Sequence, residues 1–209
     1  GTTDVVQLYE IGIDIKKYKN IVFKNTLFYR QASNLIDWSA MNSQTINTNI
    51  ELVPDTMYFF AQNINNLNTL GIESEVWFNV LKNKSFNING SIGYLKVLST
   101  EKMADIFKNQ NTLSSKYVAT NAGDRFNYNL TLNIKALKIN INGIMKIRDN
   151  EAIIDVNRNL HQSYFIHNLN VDLLISKKIT FHAEAMNIFN KDYADILGAL
   201  MPKRWLILG

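Results

Sequence analysis

The chain has 209 residues, no cysteine, two prolines and a formal net charge of +4 at pH 7. The lack of cysteine excludes disulfides, thiolate metal sites and cysteine nucleophiles. No apolar run approaches the roughly 18 residues that a membrane-spanning helix needs, and the lysines lie in scattered short turns, which argues against a nucleic-acid-binding face. The 29 asparagines are an unusual load for a compact soluble core, because each amide needs partners for both its donor and its acceptor.

Apolar and polar residues alternate with a period of two through most of the chain. This pattern indicates strands with one apolar and one polar face. One such alternation runs from Tyr9 to Lys16, and another runs from Asn129 to Lys135. The pattern predicts an all-β, antiparallel, up-and-down fold of nine strands, over residues 5–17, 21–36, 58–81, 85–98, 125–136, 138–149, 161–176, 178–189 and 203–209.

Two classes of connection alternate between these strands. Short, mostly basic turns lie at 17–20, 82–84, 136–137 and 177–178, and long polar loops lie at 37–57, 99–124, 150–160 and 190–202. Outer-membrane barrels have short periplasmic turns and longer extracellular loops, and their strands need about 9 to 11 residues to cross the bilayer. The alternation therefore predicts a transmembrane β-barrel rather than a soluble sandwich.

Aromatic residues cluster near the predicted strand ends, for example at Tyr58, Phe59 and Phe60. Such clusters resemble the aromatic girdles at membrane interfaces, although the ordinary β-propensity of aromatic residues also explains each cluster singly. Bacterial single-chain barrels have an even number of strands. We therefore expect nine strands to be part of a larger barrel, with the chain beginning in mid-barrel.

The last residues carry the most specific motif. The motif is an Asn-aliphatic-Phe-Asn sequence followed by a Tyr, and then by a Gly, a Pro and an Arg before the final strand. Its residues are Asn187, Phe189, Asn190, Tyr193, Gly198, Pro202 and Arg204. This closing hairpin resembles that of TonB-dependent outer-membrane receptors. The family usually has Gly where this chain has Lys203, and its last strand normally runs further, so we expect the chain to stop short of the C-terminus. Weaker similarities lie at 25–30 and at 70–73.

The resemblance implies that residues 1–209 are the C-terminal portion of a barrel of about 22 strands, with the plug domain not in this chain. It implies active uptake of a scarce large nutrient, driven through TonB. The run Ile196 to Trp205 resembles cobalamin-type receptors most, with siderophore and haem receptors as alternatives. The implied location is the outer membrane of a Gram-negative bacterium, with lipid, the TonB complex and a possible surface lipoprotein as partners and no nucleic acid.

Candidate catalytic and metal-binding groups are sparse. We interpret His161, His167 and His182 as polar lumen residues rather than as a metal site, which needs three or four convergent ligands. Glu73 with Glu75, and Glu184 with Asp172, share the polar face and are expected to face the plug. We predict no catalytic residue, no metal and no cofactor. The rival interpretations are an outer-membrane enzyme using Asp149, Glu151, Asp155 and His161, and a purely structural barrel fragment.

Binding residues concentrate on loops that a rigid scaffold holds. In the receptor family, the extracellular loops form the ligand pocket together with the plug. Apolar and aromatic residues of the predicted loops are suited to burying ligand surface. The candidates for ligand contact are Trp38, Met41, Met57, Tyr58, Met103, Phe107, Tyr117 and His161.

Overall fold

The computed structural model describes residues 5–82, 85–103, 122–148, 163–196 and 199–209. Nearly all of these residues lie in strands. In chain order the strands are β1 Val5–Tyr18, β2 Ile21–Asn42, β3 Met57–Lys82, β4 Phe86–Met103, β5 Asp124–Ile134, β6 Leu137–Ile147, β7 Ser163–Ser176, β8 Ile179–Met186, β9 Ala194–Ile196, β10 Ala199–Leu200 and β11 Trp205–Leu208. A single turn of 3-10 helix, Ser43–Thr45, lies between β2 and β3. No helix in the described ranges has the length and apolarity to cross a membrane.

Nine of the strands form one antiparallel sheet in the order β1-β2-β3-β4-β5-β6-β7-β8-β11. Each strand pairs with its neighbour along the chain, apart from the step from β8 to β11, where β9 and β10 form a separate two-stranded sheet. This architecture confirms the prediction of an all-β, antiparallel, up-and-down fold of nine strands. The turns at 19–20, 135–136 and 177–178 mark the short-turn end of the sheet, and the opposite end is the long-loop end.

The register of the strands separates apolar from polar residues across the sheet. Leu132 lies opposite Ile139, which lies opposite Val171, and this row defines the apolar face. Asn140 lies opposite Asn170 on the other side, which we call the polar face. The pairing gathers on the apolar face residues that the period of two assigns to one side of their strands, and we expect these to face lipid: Leu130, Leu132, Ile134, Leu169, Val171, Leu173, Phe181 and Ala183.

The sheet buries very little of its own apolar surface. Among the described residues, the buried hydrophobic side chains are Ala32, Leu67, Tyr164, Ile166 and Ala194. By contrast, Ile11 is 66% exposed, and Leu173 and Phe181 are also exposed on the apolar face. Contiguous exposed apolar surface of this kind is typical of contact with a membrane or with another protein.

Three strands run further than the sequence predicts. The predicted loop over 37–57 was wrong at both ends, because β2 continues to Asn42 and β3 begins at Met57. The predicted loop at 99–124 was wrong at its start, since β4 continues to Met103. The 26 residues of β3 extend over about 85 Å at 3.3 Å per residue, far more than a bilayer crossing needs. The pairing of β2 with β3 continues in register from Ile36 opposite Asn63 to Asn42 opposite Met57, so backbone hydrogen bonding carries both strands beyond the ends that the sequence predicts.

The closing strands are shorter than predicted. The prediction of a strand over 178–189 was wrong beyond Met186, because Asn187 adopts a φ of 49° and Asn190 a φ of 52°, which a strand does not accommodate. The predicted loop 190–202 holds β9 and β10, and β11 begins at Trp205 rather than at 203.

Three glycines of the sheet lie directly opposite an aromatic residue: Gly71 opposite Phe28, Gly90 opposite Phe78 and Gly143 opposite Tyr128. A Cβ at position 143 would lie 2.5 Å from Cε1 of Tyr128 and 3.0 Å from the carbonyl oxygen of Ile166. The Tyr128 hydroxyl lies 2.7 Å from Nδ1 of His167, which holds the ring over the glycine. Glycine at 143 is therefore required by close packing.

We predict that Gly143→Ala lowers the free energy of unfolding of the full-length protein by about 1 to 3 kcal/mol, the usual cost of overpacking. Gly12→Ala is the matched control, because a Cβ there meets nothing nearer than 3.6 Å. Urea unfolding in detergent, followed by gel mobility, measures both. Equal stabilities of the two variants would contradict the packing argument.

Candidate functional site

Some of the predicted ligand-contact residues lie in paired strands, and the others lie outside the described residues. Trp38 and Met41 lie in β2, Met57 and Tyr58 lie in β3, and Met103 is the last residue of β4, so none of these five lies in an open loop. In register, Trp38 pairs with Ala61 and Met41 pairs with Tyr58. Phe107, Tyr117 and His161 lie outside the described residues.

The hairpin of β2 and β3 closes at its tip through hydrogen bonds. The backbone N–H of Ser43 donates to the carbonyl oxygen of Thr56 at 2.8 Å. The backbone N–H of Val53 donates to the hydroxyl of Tyr58 at 3.1 Å. Tyr58 therefore helps to fold the segment 43–56 against the end of β3, a structural role in addition to any contact with a ligand.

The closing hairpin between β8 and β11 is built around two asparagines. Asn187 is buried; its side chain accepts from the backbone N–H of Lys191 at 2.8 Å and donates to the carbonyl oxygen of Lys191 at 2.8 Å. The side chain of Asn190 accepts from the backbone N–H of Arg204 at 3.0 Å. Both asparagines have positive φ, a conformation that asparagine tolerates better than most residues. These two signature residues thus fix the path of the chain.

Asp195 connects this hairpin to the polar face at the long-loop end through hydrogen bonds and ion pairs. Its carboxylate accepts from Nζ of Lys146 at 2.6 Å, from Nη2 of Arg148 at 3.1 Å and from the hydroxyl of Tyr164 at 2.6 Å. Arg148 also donates to the backbone carbonyl of Asp195 at 3.0 Å and is only 1% exposed. The ring of Tyr193 lies 4.8 Å from that of Tyr164. We call these five residues the Asp195 cluster.

The charges in the Asp195 cluster are mutually compensating. Partial burial alone would raise the pKa of Asp195, but hydrogen bonds from Lys146 and Tyr164 and the nearby charges of Lys146 and Arg148 lower the pKa below its usual value. Burial, and then the charge of Asp195, raise the pKa of Tyr193. Asp195 is therefore ionised at neutral pH and is held by its donors, which makes it a structural carboxylate rather than a proton donor.

A chain of amide hydrogen bonds crosses the polar face. Nδ2 of Asn140 donates to Oδ1 of Asn129 at 3.0 Å, and Nδ2 of Asn142 donates to Oδ1 of Asn140 at 3.1 Å. Nδ2 of Asn168 then donates to Oδ1 of Asn142 at 2.9 Å, and Oδ1 of Asn168 accepts from the backbone N–H of Asn187 at 3.0 Å. These hydrogen bonds join β5, β6 and β7 to the closing hairpin, so some of the many asparagines stabilise the sheet itself.

The two described histidines lie on opposite faces. Nδ1 of His182 lies 2.7 Å from Asp172, and its Nε2 lies 3.8 Å from Glu184, both on the polar face as expected. The prediction that His167 is a polar lumen residue was wrong, because His167 lies opposite Gly143 on the apolar face. Its ring lies 4.0 Å from that of Phe165 and 5.0 Å from that of Phe189. Phe189, part of the signature, thus packs with this aromatic group.

Within the described ranges, no group of three or more histidine, aspartate or glutamate side chains is placed to hold a metal ion. The carboxylates and histidine of the enzyme interpretation, Asp149, Glu151, Asp155 and His161, lie outside the described residues, as does Gly198. The Asp195 cluster itself was not predicted. Its members are separated by up to 49 positions, and only the shared parity of Lys146 and Arg148 near the end of a strand was visible in the sequence.

Solved structures match the chain, although no family model and no curated protein matches it in sequence. The outer membrane transporter YddB from Escherichia coli aligns with a TM-score of 0.65 and 14% identity, over 99% of this chain and 32% of that one. The copper transporter OprC aligns with a TM-score of 0.62 and 12% identity, over 97% and 30%. The FrpB iron transporter from Neisseria meningitidis (F3-3 variant) aligns with a TM-score of 0.58 and 12% identity, over 98% and 30%.

The chain has the fold of part of an outer-membrane transporter barrel. It spans about a third of the length of the solved structures it matches. Identities this low establish the fold alone. Each match covers nearly all of the chain, so the likeness in fold applies to the whole nine-stranded sheet.

We predict that Asp195→Asn lowers the free energy of unfolding of the full-length protein by about 2 kcal/mol, because charged hydrogen bonds are lost beside a buried arginine. Asp192→Asn is the matched control, since the Asp192–Lys203 pair is largely exposed and exposed pairs contribute little. Urea unfolding in detergent compares the two. A loss of equal size in both variants would contradict the role of the cluster.

The same cluster predicts a pH dependence. The folded-state pKa of Asp195 is lowered below 3.8, so its stabilisation is complete above the unfolded-state value and disappears as the pH falls through the folded-state value. The stability difference between wild type and Asp195→Asn should stay constant above pH about 5 and shrink below pH about 4. A difference that grows on acidification would reverse this assignment.

Proposed function

We propose that residues 1–209 form the C-terminal portion of the β-barrel of a TonB-dependent outer-membrane receptor in a Gram-negative bacterium. One observation carries the proposal: nine antiparallel strands follow one another in chain order, and their register gathers apolar residues on one face of the sheet. The match to outer membrane transporters over nearly the whole chain supports it. In this proposal the plug domain and the remaining strands belong to the rest of the receptor.

The topology of the proposed receptor follows from the two ends of the sheet. The short turns, such as Lys177–Lys178, lie in the periplasm, and the long loops lie outside the cell, as in other bacterial barrels. The apolar face contacts lipid, and the polar face lines the lumen and meets the plug. The closing hairpin then folds over the lumenal wall at the extracellular end, where Asp195 fastens it.

The proposed activity is uptake of a scarce large nutrient, a cobalamin, a siderophore or a haem, driven by the proton gradient through TonB. All three are metal-carrying ligands, and the names of the copper transporter OprC and the FrpB iron transporter support that class. The partners are outer-membrane lipid, the TonB complex acting on the plug, and a surface lipoprotein. The matched structures are transporters, which favours transport over an outer-membrane enzyme.

The proposed ligand contacts lie at the extracellular end. They comprise the extended β2–β3 hairpin and the segments after β4 and β6, with the residues Trp38, Met41, Met57, Tyr58, Met103, Phe107, Tyr117 and His161. The hairpin supports this role because β2 and β3 run 22 and 26 residues, far beyond a bilayer crossing. A paired hairpin of that length presents side chains well outside the membrane on a rigid support.

Cysteine labelling tests the assignment of the two faces, and residues 1–209 contain no native cysteine. We predict that Val171→Cys, on the apolar face, is protected from a water-soluble maleimide in outer-membrane vesicles of the full-length receptor. Asn170→Cys, the adjacent position on the polar face, should react at least tenfold faster. Equal labelling rates would exclude a lipid-facing β7.

Deletion of residues 104–121 tests the role of the loop between β4 and β5. We predict that the full-length receptor with this deletion binds its nutrient at least tenfold more weakly but remains a folded, heat-stable barrel, because the strands and their register are untouched. Uptake of radiolabelled cobalamin, ferric siderophore and haem, with and without a proton uncoupler, measures the activity. Unchanged uptake of the accepted nutrient after the deletion would move the ligand contacts away from this loop.

A further inference from the structure

Two polar side chains interrupt the apolar face on the hairpin of β2 and β3. Asn25 lies opposite Ser74, in the row that continues through Tyr94 and Phe126 on the apolar face. The hydroxyl of Ser74 donates to Oδ1 of Asn25 at 2.9 Å. We call these two residues the intramembrane pair. In the proposed receptor the pair faces away from the lumen and the plug.

The intramembrane pair lies within the part of the sheet that the proposed function places in the bilayer. Asn25 is five residues along the chain from Asn20 of the short turn. With a strand tilt of about 40°, this separation places it about 13 Å above the short-turn end, near the middle of an apolar band about 25 Å tall. Lipid chains have no hydrogen-bonding groups at that depth, where asparagine and serine side chains bond to neighbouring protein segments. The pair is therefore placed to contact protein rather than lipid.

The hydrogen bond within the pair leaves one donor group and one acceptor group unused. Because the hydroxyl proton of Ser74 is used on Oδ1 of Asn25, Nδ2 of Asn25 keeps its two N–H groups and Oγ of Ser74 keeps its lone pairs. Neither atom has another hydrogen-bond partner among the described residues. The pair thus presents a donor and an acceptor on adjacent strands.

The same side of the hairpin is apolar beyond the membrane. The positive φ of Asn34, 60°, breaks the alternation of β2. Leu35 packs against Ala32 and Leu67 on the polar face, so the next residue, Ile36, points to the side of the intramembrane pair. Ile36 is 72% exposed and lies about 40 Å above the short-turn end with the same tilt, well outside the bilayer. A partner that covers both places must follow the hairpin from the membrane into water.

We propose that this side of the β2–β3 hairpin is an interface with a second copy of the same chain, centred in the membrane on the intramembrane pair. Copies in one membrane share their orientation, so a two-fold axis along the membrane normal brings equivalent residues together at the same depth. Facing copies present opposite sides to each other, which places Asn25 of one copy against Ser74 of the other. Each unused donor then meets an unused acceptor, and two reciprocal hydrogen bonds form.

A different protein and outer-membrane lipid are the competing occupants. A different protein would have to supply an acceptor, a donor and an apolar surface above them, whereas a second copy carries all three on a hairpin of equal length. Lipid would leave the N–H groups of Asn25 without a partner in hydrocarbon, which costs free energy. The inference rests on the proposed function, because the surrounding lipid is what makes an unpaired amide unfavourable.

Disulfide cross-linking in outer-membrane vesicles tests the contact. Two differently tagged full-length receptors without other cysteines are produced together, one with Asn25→Cys and the other with Ser74→Cys, and are oxidised with copper phenanthroline. We expect a disulfide-linked dimer that carries both tags. The matched control is Leu130→Cys with Ile141→Cys, which lie opposite each other on the apolar face of β5 and β6, five residues from their turn. The control pair should give at least tenfold less linked product.

The mass of the purified receptor in detergent, measured by analytical ultracentrifugation, gives a second readout. Asn25→Leu removes both reciprocal hydrogen bonds and should raise the dissociation constant of the dimer at least tenfold. Ser74→Ala should raise it less, since the amides of the two copies can then pair with each other. Leu130→Ala is the control and should leave the dissociation constant within about twofold, as expected of a distant site.

The outcomes separate the occupants. A disulfide-linked dimer that Asn25→Leu weakens as stated supports the second copy. Cross-linking no stronger than in the control pair leaves the surface to lipid and overturns the inference, and so does a disulfide from Asn25→Cys to a different protein. Uptake that depends on the proton gradient tests the proposed function separately. A receptor that imports its nutrient as a monomer loses the inference alone, and a dimer that imports nothing loses the proposed function.

Discussion

The pairing of backbone hydrogen-bonding groups is the constraint on which the rest of this structure depends. A backbone N–H or C=O left unpaired in hydrocarbon costs several kcal/mol, so a sheet exposed to lipid must pair every interior strand on both sides. Neighbour-to-neighbour antiparallel order achieves this with short connections and no crossover. Once the register is set, the period of two determines which face each side chain occupies. Leu132, Ile139 and Val171 therefore lie on the same face.

The opposite face explains why the chain contains so much asparagine. In the proposed barrel this face lines the lumen, where side chains are satisfied both by one another and by water, and an amide provides a donor and an acceptor without a charge that must be neutralised. The hydrogen bonds from Asn140 through Asn142 and Asn168 to Asn187 show the first use. The amide oxygens of Asn79 and Asn87 are buried and have no hydrogen-bond partner among the described residues, so the network is incomplete near the short-turn end of the sheet.

Alternation predicted the existence and order of all nine strands of the sheet, because in each of them one face is richer in apolar residues. It did not predict the extension of β2 to Asn42, where the pairing with β3 continues beyond the predicted end at 36. It also did not reveal Asp195, whose partners lie 47 and 49 positions away along the chain. The placement of His167 was accessible in principle, since it shares the parity of Leu169 and Val171. Its residue type favours the polar face and its position favours the apolar face, and the structure follows position.

The closing hairpin shows why a family signature need not identify a ligand. Asn187 and Asn190 occupy positive φ and use their side chains to hold Lys191 and Arg204, and Tyr193 packs on Tyr164. Asn187, Asn190 and Tyr193 thus have geometric roles that do not depend on any ligand. In the proposed receptor, the similarity of Ile196 to Trp205 to cobalamin-type receptors therefore concerns how the barrel closes, and the choice of nutrient falls to the extended hairpin and the long loops.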